Sequence, residues 1–129
     1  MKIKIFIIDD NLTLQKIYNA FLSLHGFHII GRALNGQTAI ELLKDIKEQP
    51  DLIIVDYHMP VKNGIETTKE IREYNKEVKI IFISADNKIK ELAFSVGATC
   101  FLEKPFDFKE LIGTITYCSE KYIAPIPNY

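Results

Sequence analysis

The 129-residue chain has no tryptophan, only two cysteines and no cluster of five like charges. Two cysteines cannot make the disulfide framework of a small secreted domain, so we expect reduced thiols and a cytoplasmic protein. The formal net charge of −1 argues against a general electrostatic interaction with nucleic acid or anionic lipid. No stretch approaches the ~18 consecutive apolar residues of a membrane-spanning helix, and we expect no membrane association.

What is present is typical of one globular domain. Apolar residues make up 47% of the chain and charged residues 26%, which is an ordinary balance for a soluble fold. A chain of this length normally forms a single domain with its own core. We expect that domain to cover residues 1–122. Residues 123–129 contain two prolines and cannot prolong a helix, so they form a separate tail.

Five short runs rich in Ile, Val and Phe predict five β-strands. They cover residues 3–9, 27–33, 51–56, 79–84 and 99–103. Their starts are separated by 24, 24, 28 and 20 residues, which is too far for hairpins and suits a crossover helix in each gap. Three runs are continuously apolar rather than alternating, which is typical of strands covered on both faces.

The segments between the runs predict helices. Leu14, Ile17, Phe21 and Leu24 form one apolar stripe at helical spacing after the first run. Similar patterns predict helices over residues 37–48, from 63 onward, over 87–96 and over 107–122. Gly26 and Gly97 stand where left-handed helix caps are expected.

Strictly alternating strands and helices specify an α/β fold with a parallel sheet. Right-handed crossovers and five strands favour a flavodoxin-like three-layer sandwich with strand order 2-1-3-4-5. In that order, strands one and three are neighbours at the point where the winding of the sheet reverses. Ligands of such sheets bind outside the carboxyl ends of the strands at this point.

Charged and polar residues stand at the carboxyl ends of these strands. Asp9 and Asp10 end the first strand, Asp56 the third and Ser84 the fourth, and Lys104 follows the fifth. Clustered carboxylates repel each other unless a cation intervenes. A hard ion that is held by a few carboxylates and keeps some waters is better described as Mg²⁺ than as Ca²⁺.

Each of these residues also has a purely structural interpretation. The aspartate pair could cap the next helix and interact with its dipole. Ser84 could cap the fourth helix, and Lys104 could be a solvated loop lysine. Independent caps, however, have no reason to gather three acids, a hydroxyl and an ammonium on one rim.

Four motifs in order resemble the receiver domain of two-component response regulators, from residue 3 to about residue 122. They are IFIIDD, DLIIVDYHMPVKNG, FISA and VGATCFLEKPF. The resemblance implies that Asp56 is the phosphoacceptor. It also implies that Asp10, Asp56 and the backbone carbonyl of His58 bind Mg²⁺ directly, and that Asp9 binds the ion largely through water.

The resemblance assigns further roles. Lys104 matches the lysine that pairs with the phosphoryl group, with a cis bond to Pro105. Ser84 matches the switch hydroxyl, and Phe101 the aromatic residue that turns inward with it. His58 and Asp86 stand at positions that flank the path of the attacking water and tune the dephosphorylation rate.

The function implied is that of a phosphorylation-activated switch rather than of an enzyme that releases a product. A sensor histidine kinase or a histidine phosphotransfer protein would donate the phosphoryl group in a Mg²⁺-dependent reaction. A downstream protein would bind the face formed by the fourth helix, fifth strand and fifth helix, around Ile89, Lys90, Phe94, Phe101 and Glu103. We expect a stand-alone receiver of chemotaxis or phosphorelay type, and a monomer.

Other functions need residues that differ from those present. A haloacid-dehalogenase-type phosphatase needs Asp-x-Asp after the first strand, whereas this chain has adjacent acids followed by Asn11. A flavodoxin-like cofactor binder needs a glycine- and hydroxyl-rich phosphate loop there, whereas DDNLTLQ would repel phosphate. Two alternatives stay open: a degenerate receiver that acts by protein binding without phosphorylation, and a receiver excised from a larger regulator.

Overall fold

A computed structural model describes residues 2–121 of the chain. Its strands and helices alternate along the whole of this range. The strands are β1 Lys4–Ile8, β2 His28–Ala33, β3 Leu52–Asp56, β4 Lys79–Ser84 and β5 Cys100–Glu103. The helices are α1 Leu12–Leu24, α2 Gly36–Asp45, α3 Gly64–Tyr74, α4 Lys90–Ser95 and α5 Phe108–Lys121, with a 3₁₀ turn Asn87–Ile89 before α4.

All five strands are parallel, and their order in the sheet is β2-β1-β3-β4-β5. This confirms the predicted fold and strand order. Because β1 and β3 are direct neighbours, the residues that follow them meet at one edge of the sheet. Tyr122 and the tail 123–129 lie outside the described residues, so the domain limit at 122 stays a prediction.

Two apolar layers hold the helices on opposite faces of the sheet. Alternate residues of each strand point to opposite faces, so Phe6 and Ile8 pack towards α2, α3 and α4. Ile5 and Ile7 pack towards α1 and α5. All four side chains are at most 1% exposed. Burial on both faces explains why the sequence of β1 is continuously apolar. The result is the expected three-layer sandwich.

The buried face of α1 differs from its most obvious apolar stripe. Gln15, Tyr18 and Leu22 are buried against the sheet, whereas Ile17 is 44% and Leu24 is 82% exposed. The helix packs on two neighbours at once, the sheet and α5. The ring of Phe21, a member of the stripe, stacks at 4.0 Å on that of Phe108. The stripe therefore located the helix correctly but did not mark its sheet-facing side.

The predicted glycine caps are present, whereas α2 ends earlier than its pattern predicts. α2 begins after the cap Asn35 and ends at Asp45, three residues before the predicted limit, with Ile46 already in extended backbone. Gly26 (φ 91°) and Gly97 (φ 116°) adopt the expected left-handed conformation. Within residues 2–121, no helix has both the length and the apolar character to cross a membrane.

Candidate functional site

The carboxyl edge of the sheet brings together the residues that the sequence placed at the strand ends. Asp9, Asp10 and Asp56 each offer a carboxylate oxygen, and these three atoms lie within 4.8 Å of one another. Asp9 is 3% and Asp56 is 5% exposed, whereas Asp10 is open to solvent. The switch-point geometry inferred from the sequence is thus present.

The aspartate pair does not cap α1. Asn11 is the cap, and its side-chain oxygen accepts a hydrogen bond from the Leu14 N–H at 2.9 Å. The Asp9 carboxylate instead accepts the backbone N–H of Asn11 at 2.9 Å, on the turn that leads out of β1. The helix-cap interpretation of Asp9 and Asp10 is therefore wrong, and both carboxylates are left for the cluster.

Lys104 closes the cluster from the side of β5. Its ammonium Nζ lies 2.8 Å from Oδ1 of Asp56. The Lys104–Pro105 peptide bond is cis, as the resemblance implied. The backbone N–H of Lys104 donates to the Ser84 carbonyl at 3.0 Å, which ties this loop to the end of β4. Lys104 thus pairs with Asp56 at the cluster, and the interpretation of Lys104 as a loop lysine paired only with solvent is wrong.

Burial and like charge raise the pKa values of the two buried carboxyl groups, those of Asp9 and Asp56. Burial is the main cause that raises the pKa of Asp9 from 3.8 to about 6, with a further contribution from the charge of Asp56. Burial also raises the pKa of Asp56, although the hydrogen bond and charge of Lys104 oppose the shift. One ammonium does not fully compensate three neighbouring carboxylates, which is the electrostatic setting of a cation site.

The loop after Asp56 is shaped by a close backbone approach. A Cβ atom on Gly64 would lie 2.5 Å from the Asp56 carbonyl oxygen, so only glycine fits at the start of α3. The N–H of Gly64 donates to the Tyr57 carbonyl at 2.9 Å. Between them, Val61 adopts φ 70°, which is unfavourable for a β-branched residue.

Ser84 is buried at the end of β4, and its hydroxyl is engaged with the next turn. Its Oγ accepts the backbone N–H of Asp86 at 2.9 Å. The Asp86 carboxylate caps the 3₁₀ turn by accepting the N–H of Lys88 at 2.9 Å. Asp86, and not Ser84, therefore begins the fourth helical segment. His58 is exposed, and its ring lies 4.5 Å from that of Tyr57.

Phe101 lies half-buried on β5, beside the α4 side of the sheet. Its ring is nearly parallel to that of the buried Phe82, with 6.1 Å between centroids. The ammonium of Lys90 lies 5.9 Å from the Phe101 ring centroid. This cation–π contact was not predicted, and at an exposed site it contributes about 0.5–1 kcal/mol.

Sequence reasoning missed two residues of α1 that face the site. Gln15 is 2% exposed, and its side-chain amide donates to the Asp9 carbonyl at 2.8 Å. Tyr18 is buried, and burial together with the charges of Asp9 and Asp56 raises the pKa of its phenol. Their spacing with Leu22 matches a helix face, but the glutamine interrupts its apolar pattern, so the stripe of Leu14 and Ile17 stood out instead.

The chain matches a known protein family. The family model for the response regulator receiver domain matches residues 5–116. The chain belongs to the response regulator receiver family. The receiver is 30% identical to the chemotaxis protein CheY of Thermotoga maritima over 119 residues, which are 91% of this chain and 98% of CheY.

A longer relative and a solved structure extend the comparison. The probable C4-dicarboxylate response regulator DctR of Bacillus subtilis is 35% identical over 111 residues, which are 84% of this chain and 48% of DctR. The receiver thus spans about half the length of this curated relative. The receiver domain of a sensor histidine kinase from Pseudomonas aeruginosa, solved with magnesium in its active-site cleft, superposes with a TM-score of 0.81 at 25% identity, covering 93% of this chain and 99% of that one.

Membership in the family establishes the general function. The receiver is a phosphorylation-based signalling switch of two-component systems. Receiver domains of this family bind Mg²⁺ at an acidic site and interact with kinases and phosphotransfer partners. The acidic cluster of this chain is the corresponding feature.

Proposed function

We propose that Asp56 accepts a phosphoryl group from a phosphohistidine of a sensor histidine kinase or a histidine phosphotransfer protein. The observation that carries the proposal is the buried Asp56 carboxylate, with Lys104 Nζ at 2.8 Å and two further acids beside it. A carboxylate oxygen forms the new bond to phosphorus while the phosphorus–nitrogen bond breaks. The electron pair of that bond returns to the departing imidazole, and the product is an acyl phosphate.

The donor set fits a Mg²⁺ ion. Asp9, Asp10, Asp56 and the backbone carbonyl of His58 offer only oxygen, which this hard cation prefers. When bound, Mg²⁺ offsets the negative charge of the carboxylates and of the transferring phosphoryl oxygens. Lys104 supplies a fixed positive charge and forms an ion pair with the phosphoryl group once it is on Asp56.

The switch would begin at Ser84. A phosphoryl oxygen is a stronger acceptor than the partners that its hydroxyl has on Asp86, so the hydroxyl and its loop move towards Asp56. The space next to β5 then receives the Phe101 ring, which leaves its contact with Lys90. The output is a shifted conformational equilibrium rather than a released product.

The face of α4, β5 and α5 supports the proposal of a downstream protein partner there. A groove of about 470 Å³ runs across it, between Lys90, Phe94 and Phe101 on one side and Glu110 and Tyr117 on the other. Phe94 is 41% and Tyr117 is 58% exposed. Because Phe101 lines the groove, an inward turn of its ring would change the shape of the groove.

His58 and Asp86 keep their proposed role in tuning the dephosphorylation rate. The monomeric state stays a prediction.

Phosphorylation of one variant pair tests the acceptor. With acetyl phosphate and Mg²⁺, the wild-type protein should gain one phosphoryl group by intact-protein mass spectrometry, and Asp56→Asn should gain none. Asp51→Asn is the matched control, because Asp51 is exposed and directly precedes the same strand. Undiminished labelling of Asp56→Asn, or failure of the wild-type protein to label, would overturn the assignment.

Calorimetric titration with Mg²⁺ tests the metal ligands. Asp10→Asn should weaken binding more than Asp9→Asn, since Asp10 is proposed as the direct ligand. Equal affinities for both variants and the wild-type protein would exclude the proposed metal site.

The variant Ser84→Ala tests the switch. On phosphorylation it should gain the phosphoryl group, but the amide NMR signals of the α4–β5–α5 face should not change. A response of that face like that of the wild-type protein would exclude the proposed coupling through the Ser84 hydroxyl.

A further inference from the structure

The side-chain amide of Gln15 is buried beside the acidic cluster, where a polar group needs hydrogen-bond partners. Gln15 is 2% exposed, one turn into α1. Its Nε2 has two N–H donors, and both are used on backbone carbonyls. One N–H donates to the Asp9 carbonyl at 2.8 Å, and the other donates to the carbonyl of Ala33, the last residue of β2.

These contacts hold the backbone of Asp9 from several directions. The Ala33 carbonyl that accepts from Gln15 also accepts the Asp9 N–H at 3.1 Å. The Asp9 carbonyl accepts from Gln15, and the Asp9 carboxylate accepts the N–H of Asn11. The carbonyl of the Asp9–Asp10 peptide bond is therefore held by Gln15 of α1. Gln15 and the preceding Ile8–Asp9 peptide bond are both hydrogen-bonded in turn to the Ala33 carbonyl at the end of β2.

This peptide bond decides where two neighbouring acids point. Successive side chains at the end of a strand diverge, yet the oxygens of Asp9 and Asp10 lie within 4.8 Å of each other and of Asp56. Mutual repulsion of the carboxylates favours a wider separation. A fixed peptide plane opposes this separation of the carboxylates. Mg²⁺ binding depends on such a fixed arrangement, because the ion demands near-ideal octahedral geometry.

We propose that Gln15 is a positioning residue that sets the Mg²⁺ affinity of the receiver by fixing the Asp9–Asp10 peptide bond. The inference rests on the proposed metal site and goes beyond it, because Gln15 itself touches neither the ion nor the phosphoryl group. Groups that orient metal ligands in this way typically change metal affinity by about 10–100-fold when replaced.

A matched pair of variants tests the proposal. Gln15→Met keeps the length of the side chain and removes both donors. Gln49→Met is the control, because the Gln49 amide also donates to two carbonyls, those of Leu43 at 3.0 Å and Ile46 at 3.2 Å, away from the site. The chain has no tryptophan, so Mg²⁺ binding is measured by calorimetry at a temperature where all proteins are folded.

Gln15→Met should bind Mg²⁺ about 10–100-fold more weakly than the wild-type protein, whereas Gln49→Met should bind within twofold of it. Both variants remove two side-chain hydrogen bonds, so Gln49→Met shows whether the loss of two such bonds outside the site by itself changes the Mg²⁺ affinity. A Gln15→Met affinity within twofold of wild type overturns the proposal. Failure of the metal site itself is recognised separately, because Asp10→Asn would then bind Mg²⁺ as the wild-type protein does.

A measurement on the wild-type protein keeps the test decisive if Gln15→Met does not fold. The side-chain amide signals of Gln15 and Gln49 are followed by NMR during titration with Mg²⁺. The Gln15 signals should shift as Mg²⁺ binds, and the dissociation constant from this titration should equal the calorimetric one. The reason is that the Asp9 carbonyl, to which Gln15 donates, belongs to the loop that carries the proposed ligands. The Gln49 signals should stay in place. Stationary Gln15 signals at saturating Mg²⁺ would contradict the inference.

Discussion

The amino and carboxyl edges of the sheet both carry charged side chains that are partly or fully buried. They differ in whether that charge has enough partners. At the amino edge, the Arg72 guanidinium donates to the carbonyls of Gly97 at 2.9 Å and of Val78 at 2.6 Å. A third carbonyl, that of Asn75, accepts at 3.2 Å. At the carboxyl edge, Asp9 and Asp56 are buried beside each other, and the ammonium of Lys104 pairs with Asp56.

The contrast separates stability from function within one fold. Arg72 joins the end of α3 to the starts of β4 and β5, and its charge is stabilised by oriented carbonyl dipoles. The raised pKa values of Asp9 and Asp56 mean that their ionised forms are disfavoured in the folded protein. The receiver thus loses some stability at the edge that carries the proposed Mg²⁺ site, as functional sites commonly do.

The largest effect should come from removing the satisfied charge. Arg72→Met leaves several carbonyls without their charged donor, and it should lower the free energy of unfolding by about 3 kcal/mol. Arg32→Met, at an exposed arginine, should change it by less than ~0.5 kcal/mol. Urea denaturation measures both. Equal small changes in the two variants would show that the Arg72 hydrogen bonds do not stabilise the amino edge of the sheet.

Removing a charge from the carboxyl edge should have the opposite sign. In metal-free protein, Asp9→Asn should raise the free energy of unfolding by about 2 kcal/mol. The rise of the Asp9 pKa from 3.8 to about 6 corresponds to about 3 kcal/mol, and part of this is lost because a neutral amide accepts the Asn11 N–H less strongly than the carboxylate does. The folded-state pKa of about 6 lies above the ordinary 3.8, so the ionised acid lowers stability as pH rises through this interval. The gain should therefore be full above about pH 6 and absent below about pH 4.

Urea denaturation at several pH values measures this gain, with Asp51→Asn as the control for loss of a carboxylate outside the cluster. Saturating Mg²⁺ should narrow the difference between Asp9→Asn and the wild-type protein, since the ion stabilises the ionised acid. A destabilised Asp9→Asn in metal-free buffer would show that the acid edge is not strained.

A smaller gain should come from a buried hydroxyl outside the site. Among the described residues, Thr68 Oγ1 in α3 is the one buried side-chain polar atom without a hydrogen-bond partner. Thr68→Val should raise stability by about 1 kcal/mol. Thr67→Val, equally buried, should not, because its hydroxyl donates to the Asn63 carbonyl at 2.8 Å. Thermal unfolding of the pair measures the effect, and identical shifts would refute the explanation.

The smallest effect concerns the backbone of the site loop. The N–H of Lys62 donates to the Pro60 carbonyl at 2.7 Å, which closes a tight turn around Val61. At φ 70° this β-branched residue is strained by roughly 1–2 kcal/mol. Val61→Gly should stabilise by about 0.5 kcal/mol, since glycine relieves the strain but is more flexible when unfolded. Thermal unfolding measures the gain, and lower stability would show that the turn fits valine.

Much of the fold and of the candidate site could be predicted because short apolar runs and strand-end residues are local signals. The runs at residues 51–56 and 79–84 correspond to β3 and β4 almost to the residue. Parallel strands end on one edge, so Asp9, Asp56 and Lys104 could be placed together before any distance was known. Helix limits were less certain, as in α2, where the end depends on packing and capping rather than on periodicity.

The sequence by itself determined the alternation of strands and helices, the winding of the sheet and the gathering of acids at its switch point. Only the tertiary structure decided which side of α1 faces the sheet. Periodicity favours the stripe of Leu14 and Ile17, because an isolated helix gives no reason to bury a glutamine. Inside the fold, the carbonyls of Asp9 and Ala33, beside the ends of β1 and β2, both accept from the Gln15 amide. A polar residue is buried there because its partners come from strands that meet only when the chain is folded.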